Sequence, residues 1–129
     1  MASEKIIIID DEEAMLHLLR IELEAEGFIV FSALDGKAGL DLIEKNRPDL
    51  IILDVMMPDL NGYEILTRLK GNKSTKDIPV MMLTAKGLDG DIQKGLELGV
   101  DEYITKPFHA GLLVKRIQML LRHSAPPSH

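Results

Sequence analysis

The chain has 129 residues, 46% hydrophobic and 28% charged, the ordinary balance of one soluble globular domain. Its formal charge is −6 with no Lys/Arg block, which sets the average field against nucleic acid, and it has no cysteine, which excludes disulfides, thiolate metal sites and cysteine nucleophiles. No apolar run approaches the ~20 residues of a membrane span, and no apolar stretch precedes the first strand, so the expectation is a cytoplasmic protein with no signal peptide, no membrane contact and no direct contact with nucleic acid.

In chain order, short apolar runs alternate with longer amphipathic ones. Ile6 to Ile9 is continuous and β-branched, as expected of a strand covered on both faces. From Glu12 the period lengthens to that of a helix carrying Ala14, Met15, Leu18, Leu19, Ile21 and Leu23, with Glu12 and Glu13 favourable at its positive end and Gly27 closing it. Phe28 to Phe31 reads as a second strand. Asp35 to Lys45 reads as a second helix with Ala38, Leu40, Leu42 and Ile43 inward, and Pro48 closes the loop after it.

Leu50 to Leu53 is a third strand, and Pro58 to Gly62 is loop chemistry before a helix through Tyr63, Ile65, Leu66 and Leu69. Pro79 precedes a fourth strand, Val80 to Leu83. A fourth helix spans about Asp89 to Leu98, weakened by Gly90 and Gly95. A short fifth strand lies around Tyr103 and Ile104, and a last helix carries Leu112, Leu113, Ile117, Leu120 and Leu121. The expected organisation is one domain over residues 1–123, with 124–129 as a disordered tail or the start of a linker. Strands alternating with helices give a three-layer α/β domain around a parallel sheet, and right-handed crossovers leave few topologies.

All the strands but the second stop at residues suited to phosphate chemistry: Asp10 and Asp11, Asp54, Thr84, and Lys106 before Pro107. A parallel sheet gathers the carboxyl ends of its strands along one edge, where ligands bind. Three carboxylates, a hydroxyl and an ammonium meeting there describe a divalent-metal site with an acidic nucleophile and two groups to receive a phosphoryl oxygen. Each residue also has a plainer reading. Asp54 can be a loop aspartate, Asp10 or Asp11 can cap the first helix, Thr84 can fill a strand end, and a lone Lys is usually solvated. His17, His109, His123 and His129 show no metal-ligand spacing.

Ile8-Ile9-Asp10-Asp11, the run from Pro48 to Pro58 around Asp54, Leu60-Asn61-Gly62, Leu83-Thr84-Ala85 and the run from Gly99 to Phe108 stand in an order that resembles the receiver domain of two-component response regulators. The likeness covers about Lys5 to Arg122. It implies a flavodoxin-like (βα)5 fold, doubly wound, with a five-stranded parallel sheet in the order 2-1-3-4-5. It also implies that Asp54 takes a phosphoryl group from a histidine kinase or phosphotransfer protein, with Mg²⁺ (or Mn²⁺) as cofactor. The same likeness assigns Asp11 and Asp54 to the metal directly, Asp10 through water, and the Met56 backbone carbonyl as a further ligand. Thr84 and Lys106 then hold phosphoryl oxygens, Tyr103 turns inward as the readout, and Met56 and Lys86 tune hydrolysis.

The resemblance further implies a signalling switch that catalyses only its own modification. The face formed by the fourth helix, fifth strand and last helix acts on a downstream protein target or on a second copy, so the protein is a monomer or a phosphorylation-induced homodimer. The chain is either a single-domain regulator or the receiver part of a longer protein. The competing enzyme reading is a Mg²⁺-dependent phosphohydrolase with an Asp nucleophile. Such enzymes commonly carry an acid two residues on, where this chain has Met56. A flavin binder would need a phosphate-cradling loop after the first strand, where Asp10 to Glu13 would repel phosphate without a metal, and a degenerate scaffold would not need the full acid, Thr and Lys set.

Overall fold

The computed structural model describes residues 3–57, 60–85 and 89–124. Its elements are β1 (Lys5–Ile9), α1 (Glu13–Ala25), β2 (Ile29–Ala33), α2 (Gly36–Asn46), β3 (Leu50–Asp54), α3 (Gly62–Lys70), β4 (Val80–Ala85), α4 (Asp89–Glu97), β5 (Glu102–Lys106) and α5 (Ala110–Ser124). The strands form one parallel sheet in the order β2-β1-β3-β4-β5. The expected tail lies mostly outside the described residues, and α5 runs one residue past the expected boundary at 123.

Successive side chains of a strand point to opposite faces, so each apolar strand feeds two cores. Ile6, Ile8, Leu50, Ile52, Met81, Leu83 and Ile104 pack under α1 and α5, meeting Leu16, Leu19, Leu23, Leu113 and Ile117. Ile7, Ile9, Ile51, Leu53, Val80 and Met82 pack on the other face against Ile43 of α2 and Tyr63, Ile65, Leu66 and Leu69 of α3. This two-sided burial explains why the strands are apolar without alternation. Lys94 of α4 lies over the Tyr63 ring, 5.0 Å from its centroid, and ties α4 to α3.

Several element boundaries and one helix face differ from the expectation. Phe28 lies in the turn that closes α1: its N–H donates to the Leu23 carbonyl across Gly27, whose φ of +93° suits glycine, and pairing in β2 begins at Ile29. The face of α2 toward the sheet carries Gly36, Gly39 and Ile43, while Ala38 is exposed. A Cβ at Gly39 would overlap the Ile9 side chain, so close approach of helix to sheet sets the inward face. β4 and β5 extend past their apolar runs, because Thr84 pairs with Thr105 and Ala85 with Lys106. That extension carries the two polar residues at the strand ends into the ladder.

Candidate functional site

The chain leaves β1 for β2 on one side and returns to β3 on the other. The strand order therefore reverses between β1 and β3, and the crevice of a doubly wound sheet opens there, outside the carboxyl ends of the strands. Ile9 pairs with Leu53, which sets Asp10 and Asp54 level as the first residues past that pair. Asp54 pairs with Leu83 of β4, so Thr84 is one step further on, and Lys106 ends β5 opposite Ala85.

Each acid is fixed by local backbone geometry. The Asp10 N–H donates to the Ala33 carbonyl at 3.1 Å, and its Oδ1 accepts from the Glu12 N–H at 3.0 Å. Asp54 Oδ1 accepts from the Met56 N–H at 3.4 Å. The Gly62 N–H donates to the Val55 carbonyl at 2.8 Å and draws the start of α3 against the end of β3. A Cβ at Gly62 would lie 2.5 Å from the Asp54 carbonyl oxygen, so only glycine allows this approach without a shift.

Lys106 closes the cluster. Its Nζ lies 3.2 Å from Asp10 Oδ2, 3.2 Å from Glu12 Oε1 and 3.6 Å from Asp54 Oδ2. The Lys106–Pro107 peptide bond is cis. Burial and the neighbouring Asp10 charge push the Asp54 carboxyl up to about 7, with Lys106 and the Met56 N–H pulling the other way. For Lys106, burial works against the charged form, yet the Asp10 and Asp54 carboxylates outweigh it and hold its pKa above the ordinary lysine value. One carboxylate oxygen each from Asp10, Glu12 and Asp54 lies within 4.8 Å of the others, a group that can hold a metal ion. Mg²⁺ takes few carboxylates and keeps waters, which suits such a cluster.

Thr84 is 1% exposed, and its Oγ1 has no hydrogen-bond partner among the described residues. A buried hydroxyl in that state costs about 1–3 kcal/mol, a cost that a water or a ligand oxygen beside it removes. Tyr103 is half-buried beside the β3–β4 core, with its hydroxyl against α4; a Cβ at Gly95 would overlap that oxygen.

The structure thus brings together Asp10, Asp54 and Lys106, with Thr84 on the adjoining strand. It does not bring in Asp11, which is exposed and outside the acid group. The Met56 side chain is exposed, and Lys86 lies outside the described residues. Glu12 is the residue that the sequence reading placed only as a favourable charge at a helix start. The signal was its position directly after two strand-end acids. It is the N-cap residue of α1, its side chain makes no capping bond, and its carboxylate is turned to Lys106 instead.

A doubly wound parallel sheet carries Asp10, Glu12, Asp54, the Lys106 ammonium and the Thr84 hydroxyl along the carboxyl edge of its strands. The family model of the response regulator receiver domain matches residues 6–118, and the chain belongs to that family. The chain is 44% identical over 128 residues to the alkaline phosphatase synthesis transcriptional regulatory protein PhoP of Bacillus subtilis, covering 98% of this chain and 52% of that protein. It is 41% identical over 122 residues to the phosphate regulon transcriptional regulatory protein PhoB of Rhizobium meliloti, covering 95% of this chain and 54% of the relative. The chain therefore spans about half the length of these curated relatives.

Among solved structures, a putative response regulator from Chloroflexus aurantiacus superposes with a TM-score of 0.90 at 34% identity, covering 94% of this chain and 99% of that one. The chemotaxis protein CheY4 of Vibrio cholerae gives a TM-score of 0.87 at 30% identity, covering 92% and 99%. The expected sheet order and flavodoxin-like architecture are those observed. Receiver domains of this family are signalling switches rather than turnover enzymes. The expectation of no direct nucleic-acid contact gains no support from relatives named as transcriptional regulatory proteins. No helix of the described residues is long and apolar enough to cross a membrane.

Proposed function

We propose that this chain is a phosphorylation-dependent switch in which Asp54 accepts a phosphoryl group from a histidine kinase or phosphotransfer protein. The observation that carries the reading is the buried, unpartnered Thr84 hydroxyl next to a cluster of buried acids held by one lysine. An Asp54 oxygen attacks phosphorus as the donor's bond to it breaks, leaving an acyl phosphate. Lys106 leaves the carboxylates for one phosphoryl oxygen, and Thr84 donates to another.

Mg²⁺ or Mn²⁺, when bound, would supply positive charge to offset the carboxylates and the incoming phosphoryl oxygens. The proposed ligands are Asp54 and Asp11 directly, Asp10 through water and the Met56 carbonyl. Asp10 and Asp54 lie within the acid group, and Asp11 stands exposed beside it.

In this reading the switch is read out on the surface of α4, β5 and α5. Moving a two-state element from 1:99 to 99:1 takes about 5.5 kcal/mol, and charge-assisted bonds from Thr84 and Lys106 are of the size to supply much of it. Tyr103 is the proposed readout because its hydroxyl already abuts α4 at Gly95. Downstream, the face acts on a protein target or a second copy. A cytoplasmic setting fits such a role.

Intact mass after incubation with acetyl phosphate and Mg²⁺ tests the reading; a gain of one phosphoryl group is expected, and no gain with either acetyl phosphate or a partner kinase would sink it. Thr84→Val isolates the hydroxyl. It should leave the unloaded protein as stable as before or about 1 kcal/mol more stable, because it deletes an unsatisfied buried group, yet slow phosphoryl uptake about tenfold or more. A clear drop in melting temperature for Thr84→Val would mean that the hydroxyl has a structural partner. Met56, 64% exposed, has a thioether that cannot orient an attacking water by hydrogen bonding. Met56→Asn is therefore expected to shorten the phosphoryl lifetime several-fold, and an unchanged decay of phosphorylated mass would argue against a tuning role.

A further inference from the structure

Glu12 has no part in the reaction just described, yet its carboxylate stands as close to Lys106 Nζ as that of Asp10, at 3.2 Å. The three acids around the ammonium are not equivalent. Asp10 and Asp54 form an inner pair, with side chains 0% and 9% exposed, whereas the Glu12 side chain is 60% exposed and stands at the rim. A divalent cation drawn to the inner pair meets an ammonium already there. Like charges at that separation repel, so Lys106 must withdraw from Asp10 and Asp54 as the cation enters.

Where it withdraws to is constrained. The Lys106 backbone is pinned in the ladder opposite Ala85, so only its flexible four-carbon stem can swing. Among the described residues, Glu12 is the one rim carboxylate within ion-pair distance of its head. Glu12 is itself held in place, because its N–H is bonded to Asp10 Oδ1 at 3.0 Å and it begins α1 as the N-cap residue. Charge favours retention as well. Lys106 kept at the mouth offsets one carboxylate charge, and Lys106 lost to solvent leaves the cluster more negative by one where an anionic phosphoryl group has to arrive.

We propose that Glu12 is a positioning residue for Lys106: its carboxylate keeps the ammonium at the mouth of the site when a divalent cation takes Asp10 and Asp54. Glu12 is thereby a tether for the lysine and not a ligand of the metal. The lysine stays within a short swing of the position that the phosphoryl group will occupy, instead of being recruited from bulk solvent. The inference rests on the metal and phosphoryl reading of this site.

The test is a double-mutant cycle of Glu12→Gln, Lys106→Gln and the pair, read as melting temperature with Mg²⁺ removed by chelator and with saturating Mg²⁺. In the metal-free protein the two substitutions should be non-additive by about 2–5 °C, as for residues in contact. The tether requires that this non-additivity persist in saturating Mg²⁺. Glu12→Asp, which keeps the charge but shortens the reach, should restore part of it.

Additive behaviour in Mg²⁺ would overturn the tether, because Lys106 would then have let go of Glu12. A Glu12→Gln substitution that erases the Mg²⁺-induced rise equally with Lys106 or Gln at position 106 would also overturn it, by making Glu12 a metal ligand. A wild-type protein whose melting temperature ignores Mg²⁺ overturns the metal reading itself and the tether with it. That outcome is read from one curve before any variant is made, so the two failures are distinguishable.

Discussion

Asp54→Asn is expected to abolish phosphoryl uptake and, in the same protein, to raise the stability of the metal-free state above neutral pH. The first effect follows from loss of the attacking carboxylate: incubation with acetyl phosphate and Mg²⁺ should add no mass to the variant. The second follows from linkage. Burial and Asp10 raise the folded-state Asp54 pKa to about 7 from the ordinary 3.8. Between those values the folded chain holds a proton that the unfolded chain has released. The native state is therefore favoured at low pH, and stability falls as pH rises from about 4 through about 7.

Every tenfold difference in proton affinity between the folded and unfolded chain is worth about 1.4 kcal/mol, so the raised Asp54 costs the native state on the order of a few kcal/mol at pH 8. Asparagine cannot ionise and escapes this penalty. Melting curves of both proteins in chelator at pH 5 and pH 8 are the check. The variant's advantage should be several degrees larger at pH 8, and an equal difference at both pH values would contradict the raised Asp54. Mg²⁺ binding competes with the same proton, so apparent Mg²⁺ affinity should climb with pH up to about 7.

Lys106→Met should have the largest effect on the unloaded protein. One ammonium faces Asp10, Glu12 and Asp54, and Asp10 is fully buried. Removing one partner of a buried ion pair costs about 3–5 kcal/mol, because the remaining charge is uncompensated. Asp54 can take up a proton in response, which limits the loss to about 2 kcal/mol near neutrality and lets it grow as pH rises. A divalent cation supplies the missing positive charge without an ammonium to displace. Mg²⁺ should therefore raise the melting temperature of Lys106→Met more than that of wild type, even though a lysine contact to the phosphoryl group is lost. If Lys106→Met melts with wild type at pH 8 in chelator, Lys106 does not neutralise the buried acids.

Much of this molecule was legible from the chain alone, for physical reasons. Ile6 to Ile9, Leu50 to Leu53 and Val80 to Leu83 are apolar without alternation, which only strands covered on both faces tolerate, and amphipathic segments lie between them. Strand-end acids, hydroxyl and lysine follow from that reading, because a parallel sheet collects carboxyl ends. Local sequence could not place Phe28 or the inward face of α2. The first depends on a carbonyl left free by the end of α1, and the second on how closely Gly39 lets a helix approach Ile9.

The identity of the acids that meet also belonged to tertiary structure. Asp10, Asp11, Glu12 and Glu13 are adjacent in sequence, and nothing in their order says which carboxylates turn inward. The Ile9–Leu53 register buries Asp10 level with Asp54. The turn into α1 then leaves Asp11 exposed and brings Glu12 around to Lys106, a residue 94 positions away. Composition and periodicity determine which residues stand at the sheet's edge. Register and the first turn of a helix decide which of them share one lysine, because charges interact through space and not along the chain.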